Sequence, residues 1–123
     1  MNELERKHRD LLVWQEAVNF TTIVYQVTAS FPSAERFGLT SQMRRASVSI
    51  AANIAEGAAR KSTKELLQFV SIARASAAEV DTLLEISSRV GLIAEKAEIQ
   101  IPLDKLTVLL IRFESGIRRK LAT

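Results

Sequence analysis

The sequence predicts an all-α protein, an antiparallel up-down-up-down four-helix bundle, on three observations. Four segments repeat apolar residues at spacings of three and four, the period that lines one face of an α-helix. Only four glycines and two prolines occur in 123 residues, too few for a turn-rich β fold. The connections between the periodic segments are short, which favours antiparallel neighbours. Residues 1–123 read as one domain, with helices over about residues 11–30, 40–56, 63–90 and 94–120.

The first segment sets Val13, Ala17, Phe20, Val24 and Val27 on a stripe running on to Phe31. Pro32 ends it, because the residue before a proline is pushed out of the helical region. The second carries Met43, Ala46, Ile50 and Asn53, with Thr40 or Ser41 as the expected cap and Gly57 as the expected left-handed closing residue. The third is the longest: Leu66, Val70, Ala73, Ala77, Val80, Leu84 and Ser87, opened by a Ser62/Glu65 capping box and closed by Gly91. The fourth has Leu103, Leu106, Leu110, Phe113 and Ile117, with Arg118, Arg119 and Lys120 in the last turn, where cations suit the helix dipole. Pro102 either kinks or breaks this helix near residue 101 or marks its first turn, with residues 94–100 as a separate piece. Gly116 costs a helix interior about 1 kcal/mol relative to alanine, and nothing in the sequence accounts for it.

Composition narrows the function. Cysteine is absent, which excludes a disulfide framework, a thiolate metal site and a cysteine nucleophile. The single histidine, His8, lies in the charged N-terminal segment, where it serves neither a Glu-x-x-His di-metal bundle nor a serine nucleophile. Residues 56–62 end in a Lys-Ser pair but lack the leading glycine and the strand of a P-loop. No enzyme activity, metal or cofactor is expected. The N-terminal segment mixes both signs of charge and carries no secretory signal pattern. The longest aliphatic run, residues 108–111, is far below the ~20 residues that span a bilayer. A cytoplasmic location without membrane contact is expected.

Two surface patterns exceed the needs of a lone bundle. A second apolar row comprises Trp14, Val18 and Tyr25 on the first helix, Leu67 and Ile86 on the third, and Val108 and Ile111 on the fourth. One stripe per helix suffices for a monomer, and burying one such side chain is favourable by ~1.5–3 kcal/mol. The extra row predicts self-association; scattered exposed aliphatics are the ordinary alternative. Gln42, Arg45, Ser49, Asn53 and Glu56 form a polar stripe on the second helix, read as a hydrogen-bonded network or interface. In that reading Asn53 is partly buried and Arg45 reaches a carboxylate such as Glu79 or Glu85. A solvated face is the alternative.

The net charge of +3 gathers at one end. Up-down-up-down topology joins the start of the first helix, the end of the second, the start of the third and the end of the fourth. Those segments carry Arg6, Lys7, Arg9, Arg60, Lys61, Lys64, Arg118, Arg119 and Lys120 against Glu3, Glu5, Asp10, Glu56 and Glu65. The pole therefore holds +4 and the remainder −1. Such a pole suits RNA or DNA phosphate contacts, while the lack of interleaved aromatics gives no sign of base stacking. A solvated cluster at frayed ends is the alternative.

The string Thr40-Ser41-Gln42-Met43-Arg44-Arg45-Ala46-Ser47-Val48-Ser49-Ile50-Ala51-Ala52-Asn53-Ile54-Ala55-Glu56-Gly57, with Val13-Trp14-Gln15, Phe31-Pro32, Glu35-Arg36-Phe37-Gly38-Leu39, Arg60, Glu65, Phe69, Ala73, Ser76 and Glu79, resembles the 23S rRNA intervening-sequence family, also labelled S23 ribosomal proteins. The resemblance runs from about Leu12 to Gly91. It implies an antiparallel four-helix bundle assembling as a ring, commonly a homopentamer. Some members are encoded inside insertions in large-subunit rRNA genes. A related group resembles nucleic-acid-binding accessory proteins of diversity-generating retroelements. Ala75 stands where the family usually has glycine, and Pro102 is unusual. The resemblance supplies no catalytic residues. The expected partners are further copies of the chain and RNA or DNA at the basic pole. The alternative is an oligomeric scaffold for a protein partner, with no nucleic-acid role.

Overall fold

A computed structural model describes residues 7–123. Four helices follow one another: α1 Leu12–Thr28, α2 Leu39–Ala58, α3 Thr63–Arg89 and α4 Ala97–Ala122. One 3₁₀ turn at Lys7–Asp10 precedes α1, and another at Ser33–Glu35 lies between α1 and α2. No strand occurs among the described residues. Each helix packs on its two neighbours, α1 on α2 and α4, α3 on α2 and α4. Neither diagonal pair brings Cα atoms within 8 Å. This is the four-helix bundle that the periodicity predicts.

The core takes one stripe from each helix. Phe20 and Val24, Met43, Ile50 and Ile54, Val70, Val80 and Leu84, and Ile99, Leu103, Leu106 and Leu110 are all buried. In α2, Ile54 rather than Asn53 completes the stripe, and Asn53 is half-buried beside it. In α4, Phe113 is half-buried, and the fully inward position one residue on is Glu114.

The helix ends depart from expectation at several points. α1 stops at Thr28 rather than continuing toward residue 30, and Phe31 reaches the core from the loop. Neither Thr40 nor Ser41 caps α2. Gly38 holds that position, and the Glu35 carboxylate accepts from the Leu39 N–H at 3.2 Å. Thr40 is buried in the first turn, and its hydroxyl has no hydrogen-bond partner among the described residues. Gly57 does not terminate α2 in a left-handed conformation; it lies inside the helix. A Cβ added there would sit 2.9 Å from the Phe69 Cβ and 3.0 Å from the Leu66 Cδ1, so the close approach of α2 and α3 requires the glycine.

α3 begins and ends as its residues dictate. The Ser62 hydroxyl accepts from the Glu65 N–H at 3.1 Å, satisfying one of the helix's free donors. At the other end Gly91 adopts φ +82°, the Leu92 N–H bonds the Ser87 carbonyl at 2.9 Å, and the Gly91 N–H bonds Ser88 at 3.1 Å. This is a Schellman motif. α4 starts at Ala97, not residue 94, and shows no break near 101: it runs on through Pro102. Pro102 is neither the first turn nor a stop. It lies in the second turn and cannot supply the N–H that would bond the Glu98 carbonyl.

Candidate nucleic-acid interface

Antiparallel packing decides which side chains meet at the end of the bundle. The 3₁₀ turn lies against the end of α2, where Lys7 and His8 share a cleft with Ala58 and Ala59. The start of α3 lies against the end of α4, where Thr63 and Leu66 share a cleft with Phe113, Ile117 and Lys120. Only residues 59–62 separate α2 from α3. Lys7, Arg9, Arg60, Lys61, Lys64, Arg118, Arg119 and Lys120 therefore belong to one end, with Asp10, Glu56, Glu65 and Glu114 as the acids there. Arg6 lies outside the described residues.

These cations are not equivalent. The Arg9 guanidinium stands 5.4 Å from the Trp14 ring centre, and the Gln15 amide donates to the Arg9 carbonyl at 2.7 Å. His8 meets the same indole edge-on at 4.9 Å. Arg60 lies over Phe69 at 4.8 Å. Arg118 donates to Glu114 at 3.4 Å. Lys61, Lys64, Arg119 and Lys120 are exposed and form no ion pair with any described residue.

Glu114 is the residue that the sequence reading missed. It is 6% exposed and is bonded by Arg74 and by the Ser71 hydroxyl at 3.0 Å, besides Arg118. The Arg74 hydrogen bond holds its carboxyl below the ordinary value of 4.5 against the opposing effect of burial. The signal was present: Glu114 continues the 103–106–110 spacing of the core stripe. Arg44 carries no comparable signal in the sequence. It donates to the Thr28 hydroxyl at 2.9 Å and to the Tyr25 carbonyl at 3.3 Å, with its guanidinium 4.5 Å from the Tyr25 ring. It ties α1 to α2.

The polar stripe on α2 divides. Asn53 donates to the Ser49 carbonyl at 2.8 Å and to the Ser49 hydroxyl at 3.0 Å, and Ser49 meets the Ser76 hydroxyl of α3 at 2.9 Å. Gln42, Arg45 and Ser49 line a cleft with Glu79. Arg45 nonetheless forms no ion pair with Glu79 or any other described carboxylate, and Glu56 is exposed and likewise unpaired among the described residues. Glu85 pairs instead with Lys96 at 2.6 Å and Arg89 at 2.8 Å. The Lys96 hydrogen bond and then the Arg89 bond lower the Glu85 carboxyl to about 2.

A separate apolar groove runs between α1 and α2, lined by Trp14, Val18, Val48, Ala51, Ala52 and Ala55. Val48 is 44% exposed within it. Among the described residues no group of three or more His, Cys, Asp or Glu is placed to hold a metal ion. No described helix is long and apolar enough to cross a membrane.

Comparison with known proteins fits this architecture. One solved structure, a protein of unknown function from the S23 ribosomal protein family of Bacteroides thetaiotaomicron VPI-5482 at 1.70 Å resolution, superposes with a TM-score of 0.77. The match covers 85% of this chain and 96% of that one at 24% identity, a likeness of fold. No curated protein matches the chain. The profile of the 23S rRNA-intervening sequence proteins matches residues 9–111. Four antiparallel helices and a match over most of the sequence lead to one conclusion: the chain belongs to the 23S rRNA-intervening sequence protein family.

Proposed function

We propose that this chain is a non-enzymatic, cytoplasmic, self-assembling bundle whose basic end grips the phosphate backbone of RNA or DNA. The observation that carries this reading is the meeting of eight described cations with four carboxylates at one end, Glu114 beside Arg118 included. Arg9 and Arg60 are held against aromatic rings, so their charges are placed without being neutralised. Lys61, Lys64, Arg119 and Lys120 are exposed and unpaired among the described residues, and their contact with phosphate is sequence-independent. In a ring of copies, with a homopentamer as the simplest case suggested by the family resemblance, these ends add into one cationic rim.

Fluorescence anisotropy with a structured RNA and a DNA duplex tests this. Affinity is expected to fall steeply between about 50 and about 200 mM salt. The Lys61→Glu/Arg119→Glu variant should weaken binding and reduce the logarithmic salt slope by about 2. Absence of binding to either nucleic acid at low salt overturns the proposal. A second reading, an oligomeric scaffold presenting a surface to a protein partner, draws on the exposed aliphatic side chains of Ile72, Val108 and Ile111. It expects assembly in full and indifference to that charge reversal.

A further inference from the structure

We infer that the cleft between the start of α3 and the end of α4 is a docking site for an acidic amphipathic helix of a protein partner. Its apolar lining is Leu66, Phe113 and Ile117. Arg112, Gly116 and Lys120 also line it and stand at i, i+4 and i+8, so they share one edge of α4. The two cations are therefore two turns apart, about 12 Å. Neither forms an ion pair with a described residue, and no carboxylate lines the cleft.

Gly116 is the second, independent observation. It lies inside a helix, its φ is not positive, and an added Cβ would meet nothing nearer than the Arg119 guanidinium at 3.8 Å. Unlike Gly57, it answers no packing demand within this chain. Bare backbone halfway between the two cations lets another side chain approach α4 closely. The matching ligand has an apolar centre and a negative charge at each end.

A helix with leucine-like residues facing the cleft and carboxylates about seven or eight residues apart meets that description. A lipid with a single carboxylate satisfies one cation only. A nucleic-acid backbone gains nothing from a lining of Leu66, Phe113 and Ile117. This site goes beyond the phosphate reading and does not rest on it.

The test uses the full chain and a fluorescein-labelled synthetic helix of about 16 residues, with leucines along one face and two glutamates about eight residues apart flanking them. The acidic peptide should saturate below about 100 µM, and a lysine-for-glutamate version should not bind. Gly116→Leu fills the cleft and should weaken the peptide at least about tenfold, as should Arg112→Glu/Lys120→Glu. Gly116→Leu should leave RNA affinity unchanged. Gly116→Ala, which clashes with nothing, should raise the thermal midpoint and still weaken the peptide, which separates blocking from misfolding. Failure of the acidic peptide to saturate overturns the inference. So does equal binding of the lysine version, binding indifferent to Gly116→Leu, or a Gly116→Leu variant that loses RNA and keeps the peptide. Binding of oleate in place of the peptide overturns it as well.

Discussion

Replacing Gly57 with alanine sets a methyl group 2.9 Å from the Phe69 Cβ, an atom fixed close to its own backbone. The α2/α3 contact has to open to admit it, at a cost of about 1–3 kcal/mol in urea unfolding. Helix propensity alone predicts the opposite sign, a gain of about 1 kcal/mol, so the measurement separates packing from propensity. At Glu114 the charge is held by Arg74, Ser71 and Arg118. Because folding lowers this carboxyl below 4.5, its stabilisation is complete above that pH and is lost as pH falls further. Glu114→Gln should cost about 1–3 kcal/mol near neutrality, since Arg74 is half-exposed and regains water when its partner is removed. The same variant should flatten the acid limb of the stability profile. Glu85, lowered to about 2, contributes to the same limb between pH 4.5 and 2.

Among the elements, α4 carries the largest internal conflict. Pro102 forfeits one helical hydrogen bond inside a helix that continues for five further turns or so. Pro102→Ala should raise stability by on the order of 2 kcal/mol, as the restored bond is partly offset by a more flexible unfolded chain. Thermal or urea melts of the two proteins check it. The same helix shows why some features are legible in sequence and others are not. The period of Leu103, Leu106 and Leu110 is a property of the helix itself and is visible without coordinates. The role of Gly57 depends on Phe69 and Leu66 of another helix, and no local rule for glycine distinguishes it from a terminator. Likewise Arg45 and Glu79 reach one cleft, as their spacing allows, but forming an ion pair needs side-chain geometry that spacing does not carry.

At the scale of the molecule, topology was the most legible part of the candidate interface. Alternating helix direction is enough to send four basic segments to one end. What sequence left open is which cations are engaged, because Arg9, Arg60 and Arg118 find partners through packing. The α1/α2 groove is the molecule's apolar surface for assembly in the proposed reading. Val48→Asp places a charge in it without touching the core stripe, so light scattering should report a smaller particle with an unchanged helical signal. A particle of unaltered mass would move self-association to another face.

The short link at residues 59–62 has a kinetic consequence. It lets α2 and α3 find each other across little loop entropy, whereas α1 and α4 have to close over nearly the whole chain. The α2–α3 hairpin is thus the expected nucleus, and Gly57 sits in it where the two helices leave no room for a Cβ. Gly57→Ala should then slow refolding and leave the rate of unfolding almost untouched.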